Sequence, residues 1–310
     1  MKALVTGGLG FIGSHIVDRL ISDGHQVVVI DNECKSSKEF YYNPNAEYAW
    51  YDIADYQHIF PLFKGVDYVF HLAAETQIQS TINSPNLCVK TNVTGTCNVL
   101  QAAKENNIKR VIFSTTSAVY GEKATASTPI GIKEDMPRDC LNPYALSKAF
   151  GEDLCAMYLD YGLETVMLRY FNVYGDRQPS TGSYAPVIGI FKKQVNSKEP
   201  MTIIGDGLQT RDYIHVSDVV EANVKAAFAD CAGQIFNIGT EKQTSVLDLA
   251  TMIGKVKLGT PTGWMHLPER KAEIKHSKAN ISKAKNLLDW TPKVKLEDWI
   301  NENISTVSNT

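Results

Sequence analysis

The feature that most constrains this chain is a glycine-dense turn directly after its first apolar run. Lys2-Ala-Leu-Val-Thr6 leads into Gly7-Gly8-Leu9-Gly10-Phe11-Ile12-Gly13, and then into a stretch whose Ile12, Ile16 and Leu20 share one helical stripe. Without a Cβ, glycine lets a strand turn sharply into a helix and lets another group approach the backbone closely. The helix start adds unpaired N–H groups and the positive end of a dipole, a combination suited to phosphate. A tight strand-to-helix turn needs glycine on steric grounds alone, so the residues beyond it decide its meaning. The next apolar run, residues 26–31, ends on Asp31, 18 residues past Gly13. A carboxylate there accepts hydrogen bonds from both hydroxyls of a ribose and repels a 2′-phosphate, which favours NAD over NADP. The plainer role for Asp31 is to cap the turn it shares with Asn32.

Further apolar runs at 68–72, 110–115 and 164–169 alternate with amphipathic stretches at 11–23, 85–107 and 143–161, the last two beginning at proline. That rhythm predicts an α/β chain with a Rossmann-type, doubly wound parallel sheet. From about residue 171 the rhythm loosens into a smaller C-terminal lobe, with helices expected at 216–229, 245–253 and 277–288. Strands at 201–204 and 235–238 fit either lobe. The expected division is residues 1–170 and 171–310, with about 208–240 free to return to the first.

A chain of 310 residues, 44% of them hydrophobic, has ample material for a packed core. Its formal charge of -3 and scattered basic residues argue against a nucleic-acid partner. The six cysteines, Cys34, Cys88, Cys97, Cys140, Cys155 and Cys231, form no CxxC pair and lack neighbouring histidines, so we expect reduced thiols and no metal. The amino terminus lacks the marks of a signal peptide, and no apolar run approaches the roughly 18 residues of a membrane span. A cytoplasmic protein is expected.

Tyr144-Ala-Leu-Ser-Lys148 comes after Asn142-Pro143, so on a helix the phenol and the ammonium share one face. A nearby cation stabilises a phenolate, and a tuned tyrosine can then serve as general base. Thr115-Thr116-Ser117 lies at the carboxyl end of the preceding strand, the edge where open α/β sheets bind ligands. A packed tyrosine with a solvated lysine, and threonines chosen for strand propensity, are the structural alternatives.

Taken together, these residues resemble the extended short-chain dehydrogenase/reductases of the NAD-dependent sugar-nucleotide epimerase/dehydratase family, over essentially the whole chain. The likeness is carried by Thr6 to Gly13, Asp52-Ile53, His71-Leu72-Ala73-Ala74, Asn92 with Gly95-Thr96, Ser114 to Gly121, Tyr144 to Lys148, Arg169 to Gly175 and Arg211 to Val216. The resemblance implies a cofactor site in which Gly7, Gly10 and Gly13 shape the turn and Phe11 and Ile12 offer N–H groups to the pyrophosphate. Asp31, Asn32, Lys35 and Ser36 would surround the adenosine ribose, Asp52 and Ile53 would hold the adenine, and Leu72, Ala73, Ala74, Asn92 and Phe171 would line the nicotinamide side. Lys148 would bond the nicotinamide ribose and, with the positive nicotinamide, bias Tyr144 toward phenolate. For a UDP-sugar it implies Asn172, Arg211 and Arg270 at the diphosphate and Val187, Phe191, Thr202, Ile203 and Ile204 near the uridine. A homodimer through a four-helix bundle of residues 85–107 and 143–161 is implied as well.

The positions after the catalytic Thr116 separate the reactions within the family. Similar 4,6-dehydratases carry Asp and Glu there, whereas this chain has Ser117 and Ala118. Without that acid–base pair, oxidation at C4 leads back to C4, which is 4-epimerisation through a transient 4-keto sugar with tightly held NAD. Gly175-Asp176-Arg177-Gln178 and Gly182-Ser183-Tyr184-Ala185 are similar to 4-epimerases that accept N-acetylated sugars, and the small Ser277 stands where related epimerases set pocket width. Glu75-Thr76-Gln77 and Pro268-Glu269-Arg270 depart from the common pattern. The alternatives are another nucleotide-sugar oxidoreductase, reductase or decarboxylase, or an NAD-binding regulator without catalysis.

Overall fold

Short runs rich in Val, Ile and Leu, too short for buried helices, form six strands of one all-parallel sheet, and the three residues Glu47–Ala49 add a seventh at its edge. A computed structural model describes residues 1–34, 40–122, 130–179, 186–258, 263–269 and 274–304. The first six strands are β1 (Lys2–Thr6), β2 (Gln26–Ile30), β3 (Glu47–Ala49), β4 (Tyr68–His71), β5 (Arg110–Thr116) and β6 (Glu164–Tyr170). Four short strands, β7 (Asn172–Tyr174), β8 (Met201–Ile204), β9 (Thr210–Arg211) and β10 (Tyr213–His215), lie outside the sheet before the chain returns to it as β11 (Ile235–Ile238). The order is β11-β6-β5-β4-β1-β2-β3. From β1 the chain builds outward through β2 and β3, then crosses back to β4 and builds the other way. That reversal opens a crevice at the carboxyl ends of β1 and β4.

Both faces of the sheet are covered. One carries the helices Phe11–Ser22 and Val216–Phe228, with Ile16, Leu20, Val219 and Ala226 buried against Val5, Val29 and Phe236. The other carries Gly95–Glu105 and Pro143–Asp160, with Val99, Leu100 and Cys155 packed on Leu4, Val69 and Phe113. A third core joins the helices Val187–Asn196, Val246–Leu258 and Leu296–Ile304 around Phe191, Ile203 and Leu249, and β8 there pairs with β13 (Trp264–Leu267), which comes after β12 (Thr244–Ser245).

Two expected helices differ from the periodicity. Residues 85–107 are broken into Pro85–Cys88, a wide π turn at Val89–Thr94 and Gly95–Glu105. The wide turn presents Asn92 inward, and Gly95 then lies so close to Ile53 that a Cβ would come 2.6 Å from its Cδ1. The helix expected from 277 starts only at Ser282, because the preceding residues are claimed by tertiary hydrogen bonds: Ala279 N–H donates to Asp212 and Asn237 Nδ2 to the Asn280 carbonyl. Three-residue β3 and the helices Ile78–Asn83 and Val187–Asn196 lie outside the expected elements.

Candidate active site

The crevice is a cavity of about 540 Å³ whose wall brings together Gly7, Gly10, Phe11, Ile12, Gly13, Asp31, Asn32, Asp52, Ile53, Leu72, Ala73, Ala74, Thr116, Tyr144, Lys148 and Phe171. Its floor is the glycine turn. Gly7 has φ +69°, and a Cβ there would lie 2.8 Å from the Ala73 nitrogen; a Cβ on Gly13 would lie 2.2 Å from the Gly7 carbonyl oxygen. The helix beginning at Phe11 has no side-chain cap and no acid in its first turn, leaving its N–H groups directed at the cavity without a competing anion.

At the end of β2, Asp31 does two jobs. Its Oδ2 accepts from Leu9 N–H at 3.1 Å and its Oδ1 from Glu33 N–H at 3.0 Å, so it caps the turn while still facing the cavity. Opposite, Thr6 Oγ1 accepts from the N–H groups of Leu72 and Ala73 and meets His71 Nδ1 at 2.7 Å, while His71 Nε2 meets Thr96 Oγ1 at 3.0 Å. Burial, aided by the Lys148 charge, lowers His71 to about 3, so this buried ring is neutral and holds the 72–74 loop in place.

Asn142 caps the helix that carries the phenol, its side chain accepting from Ala145 N–H at 2.9 Å. Tyr144 shares the cavity wall with Thr116, whose Oγ1 accepts from Ala118 N–H at 3.1 Å. Burial pushes the Tyr144 phenol up to about 12, and the neighbouring Thr116 hydroxyl opposes that shift. The expectation that the lysine lowers this phenol is therefore corrected for the protein alone: Lys148 is not among the groups that move it. Lys148 Nζ instead donates to the Ser114 carbonyl at 2.8 Å and lies 4.8 Å from the Phe113 ring centre, and burial lowers it to about 8.

Asn92 is buried beside the cavity rather than on its wall. It donates to the Glu75 carbonyl at 2.9 Å and to Ser147 Oγ at 2.9 Å, and accepts from Glu75 N–H at 2.7 Å. Of the residues expected at the sugar nucleotide, Thr116 lines this cavity, whereas Asn172, Val187, Phe191, Thr202, Ile203, Ile204, Arg211 and Ser277 do not. Phe191 and Ile203 are wholly buried in the third core, with Val187 packed on them, so their side chains hold the lobe together. Thr202 Oγ1 accepts from Gln194, Ile204 continues β8, and Asn172 is exposed at the start of β7. Arg211 and buried Ser277 sit side by side, Arg211 Nη1 donating to the Thr210 carbonyl and Ser277 N–H to the same oxygen. Lys35, Ser36, Arg270 and residues 182–185 lie outside the described residues. Sequence reasoning missed Tyr51, Ser114, Thr91, Val173 and Pro186 on the cavity wall, and gave Glu75 no role there.

A parallel sheet with a glycine turn at its switch point and a Tyr–Lys helix across the crevice defines a Rossmann-like dinucleotide enzyme. The chain belongs to the NAD dependent epimerase/dehydratase family, whose model matches residues 3–239. It is similar in structure to a UDP-glucose 4-epimerase from Thermotoga maritima bound to UDP-glucose (TM-score 0.91, 35% identity, covering 98% of this chain and 97% of that one). It is similar also to a UDP-N-acetylglucosamine 4-epimerase from Methanobrevibacter ruminantium (TM-score 0.90, 37% identity, 98% and 96%). A UDP-N-acetyl-alpha-D-glucosaminuronate decarboxylase from Bacillus cytotoxicus is 34% identical over 98% of this chain and 96% of its own length. NAD is the cofactor of the family, and the uncapped helix start, the side-chain-free turn and Asp31 fit it.

The buried ammonium has a measurable cost. Lys148 has its folded pKa below the ordinary 10.5, so between about pH 8 and 10.5 the unfolded chain binds more protons and this group's contribution to stability rises with pH. Lys148→Met should therefore be more stable than the parent at pH 7 by up to about 3 kcal/mol, with the margin shrinking toward pH 10. Denaturant midpoints of both proteins from pH 7 to 10 check this; parallel curves would contradict it.

Proposed function

We propose that the protein is a UDP-hexose 4-epimerase acting on UDP-glucose and UDP-galactose, with Ser277 leaving room for N-acetylated sugars. The observation that carries this reading is the placing of Thr116 and Tyr144 together on the cavity wall, with Ser117 and Ala118 next in the chain where dehydration needs two carboxyl groups. NAD, when bound, would supply the acceptor and donor of a hydride at C4 of the sugar. The protein's part is to move the proton on the C4 oxygen. Tyr144 Oη, as the phenolate that the positive nicotinamide of bound NAD would favour, takes that proton and returns it, and the Thr116 hydroxyl holds the same oxygen in line. Lys148, fixed on the Ser114 carbonyl, orients the cofactor's ribose. Because loss and return occur at the same carbon, net oxidation is zero.

Residues 1–170, with about 208–240 returning, act in this reading as the NAD-binding unit; the pairing of β11 with β6 supports it. Residues 171–310 form the sugar-nucleotide lobe. Asn172, Arg211 and Arg270 would bind the diphosphate, a task for which the planar guanidinium is suited. A cytoplasmic location is in keeping with six free cysteines, and no helix among the described residues is long and apolar enough to cross a membrane.

Tyr144→Phe should lower turnover on UDP-glucose by roughly a hundredfold to ten-thousandfold while leaving its binding nearly unchanged. Separation of C4 isomers together with calorimetry checks this. Unimpaired isomer exchange would refute it, and steady accumulation of NADH during turnover would favour a net oxidoreductase.

A homodimer is proposed on the outer face of the helices Pro85–Cys88 and Pro143–Asp160. Leu146 is 62% exposed and Phe150 45%, with Leu87, Val89 and Met157 also exposed beside them. A row of large apolar side chains on paired helices is costly to leave in water. Sedimentation should show a dimer that Leu146→Asp converts to monomer; a monomeric parent protein would contradict this.

A further inference from the structure

Four charged side chains line the cavity among the described residues: Asp31, Asp52, Glu75 and Lys148. Three already have their charge engaged. Asp31 accepts two backbone N–H groups, Asp52 pairs with Lys90 at 3.5 Å, and Lys148 is held on the Ser114 carbonyl. Glu75 is different. Its Oε1 accepts only the N–H of Gln77 at 3.2 Å, and among the described residues it meets no cation. Its charge is felt across the crevice: burial raises the Cys34 thiol, and Asp31, Glu75 and Asp52 raise it further.

The backbone of Glu75 is tied to the helix that carries the phenol. Asn92 grips both the N–H and the carbonyl of Glu75, and its side chain also donates to Ser147 Oγ, which in turn donates to the Tyr144 carbonyl at 2.8 Å. One buried amide thus ties the unpaired carboxylate to the helical turn that carries Tyr144. A hexose whose C4 oxygen meets Tyr144 has its C6 separated from C4 by a single ring carbon. If C6 is a carboxylate, it enters a cleft that already holds an uncompensated negative charge.

We infer that Glu75 sets sugar specificity by charge, admitting neutral hexoses and rejecting uronic acids; this rests on the epimerase reading above. Hydroxyl groups of a neutral sugar can donate to the carboxylate, whereas a second carboxylate beside it is repelled. Discrimination by a repulsive element is a common route to specificity among similar ligands. Relatives of this chain include a UDP-N-acetyl-alpha-D-glucosaminuronate decarboxylase, so neutral and acidic sugars are the alternatives to be told apart. The diphosphate shared by both kinds of substrate cancels in the comparison.

Calorimetric titration of the NAD-loaded protein with UDP-glucose and with UDP-glucuronate tests the inference without requiring turnover. The parent should bind UDP-glucose tighter by on the order of ten- to a hundredfold. Glu75→Gln, which keeps the carbonyl that accepts from Gln77, should narrow that ratio at least tenfold, mainly through tighter UDP-glucuronate binding. In the parent, raising salt should narrow the ratio in the same direction. Equal binding by the parent, or a ratio that neither the substitution nor salt changes, overturns the role of Glu75 and leaves the epimerase reading standing. Failure of both UDP-sugars to bind overturns both.

Discussion

The carbonyl oxygen of Gly7 occupies the space that a side chain on residue 13 would need, and the rest of the site depends on that contact. A Cβ on Gly13 would stand 2.2 Å from this oxygen, and one on Gly7 would press on the 72–73 backbone at 2.8 to 3.1 Å. Strand, turn, helix and the neighbouring loop therefore meet backbone to backbone. The result is a helix start with bare N–H groups at the one place where the sheet reverses direction. Moving that helix out by the width of a methyl group would also shift its packing on β1 and β2 and against the helix Val216–Phe228.

Across the crevice, the reactive groups are held by buried polar bonds rather than by apolar packing alone. Thr6 and neutral His71 fix the 72–74 loop, and Asn92 links the next residues to the Tyr144 helix. One turn beyond Lys148, buried Glu152 takes two bonds from Arg169 and one from the hydroxyl of Thr115, beside Thr116. Arg169 also donates to Tyr120, whose hydroxyl reaches Asn237 on β11. Removing one member of such a network strands its partner without water, so these residues keep the Tyr–Thr–Lys geometry rigid.

The first lobe was legible because each signal there is local. Glycines after β1, Asp31 closing β2, and a phenol and ammonium one turn apart are neighbours in sequence, and the cavity gathers them. Asn92 was found, but its action is indirect, since a π turn buries it one layer behind the wall. The second lobe was harder to read. Its strands have two to four residues, its sites are assembled from segments far apart in sequence, and the apolar Phe191 and Ile203 were needed for its core. Residues 277–281 carry a helical pattern that hydrogen bonds to Asp212, Ile132 and Asn237 override. The state of Tyr144 in the protein without its cofactor was not legible, for a physical reason. Spacing places a lysine near a tyrosine, yet it does not reveal that the ammonium will turn to a strand carbonyl or how strongly burial will act on both groups.

The central claim is that this crevice exchanges a proton on the C4 oxygen through Tyr144 while the hydrogen on C4 itself never reaches water. Following deuterium placed on C4 of UDP-glucose tests that most directly, with products read by proton magnetic resonance. The galactose isomer should form with the label retained at C4 and no solvent hydrogen entering there. Loss of that label to water, or isomer formation with solvent hydrogen at C4, would contradict it.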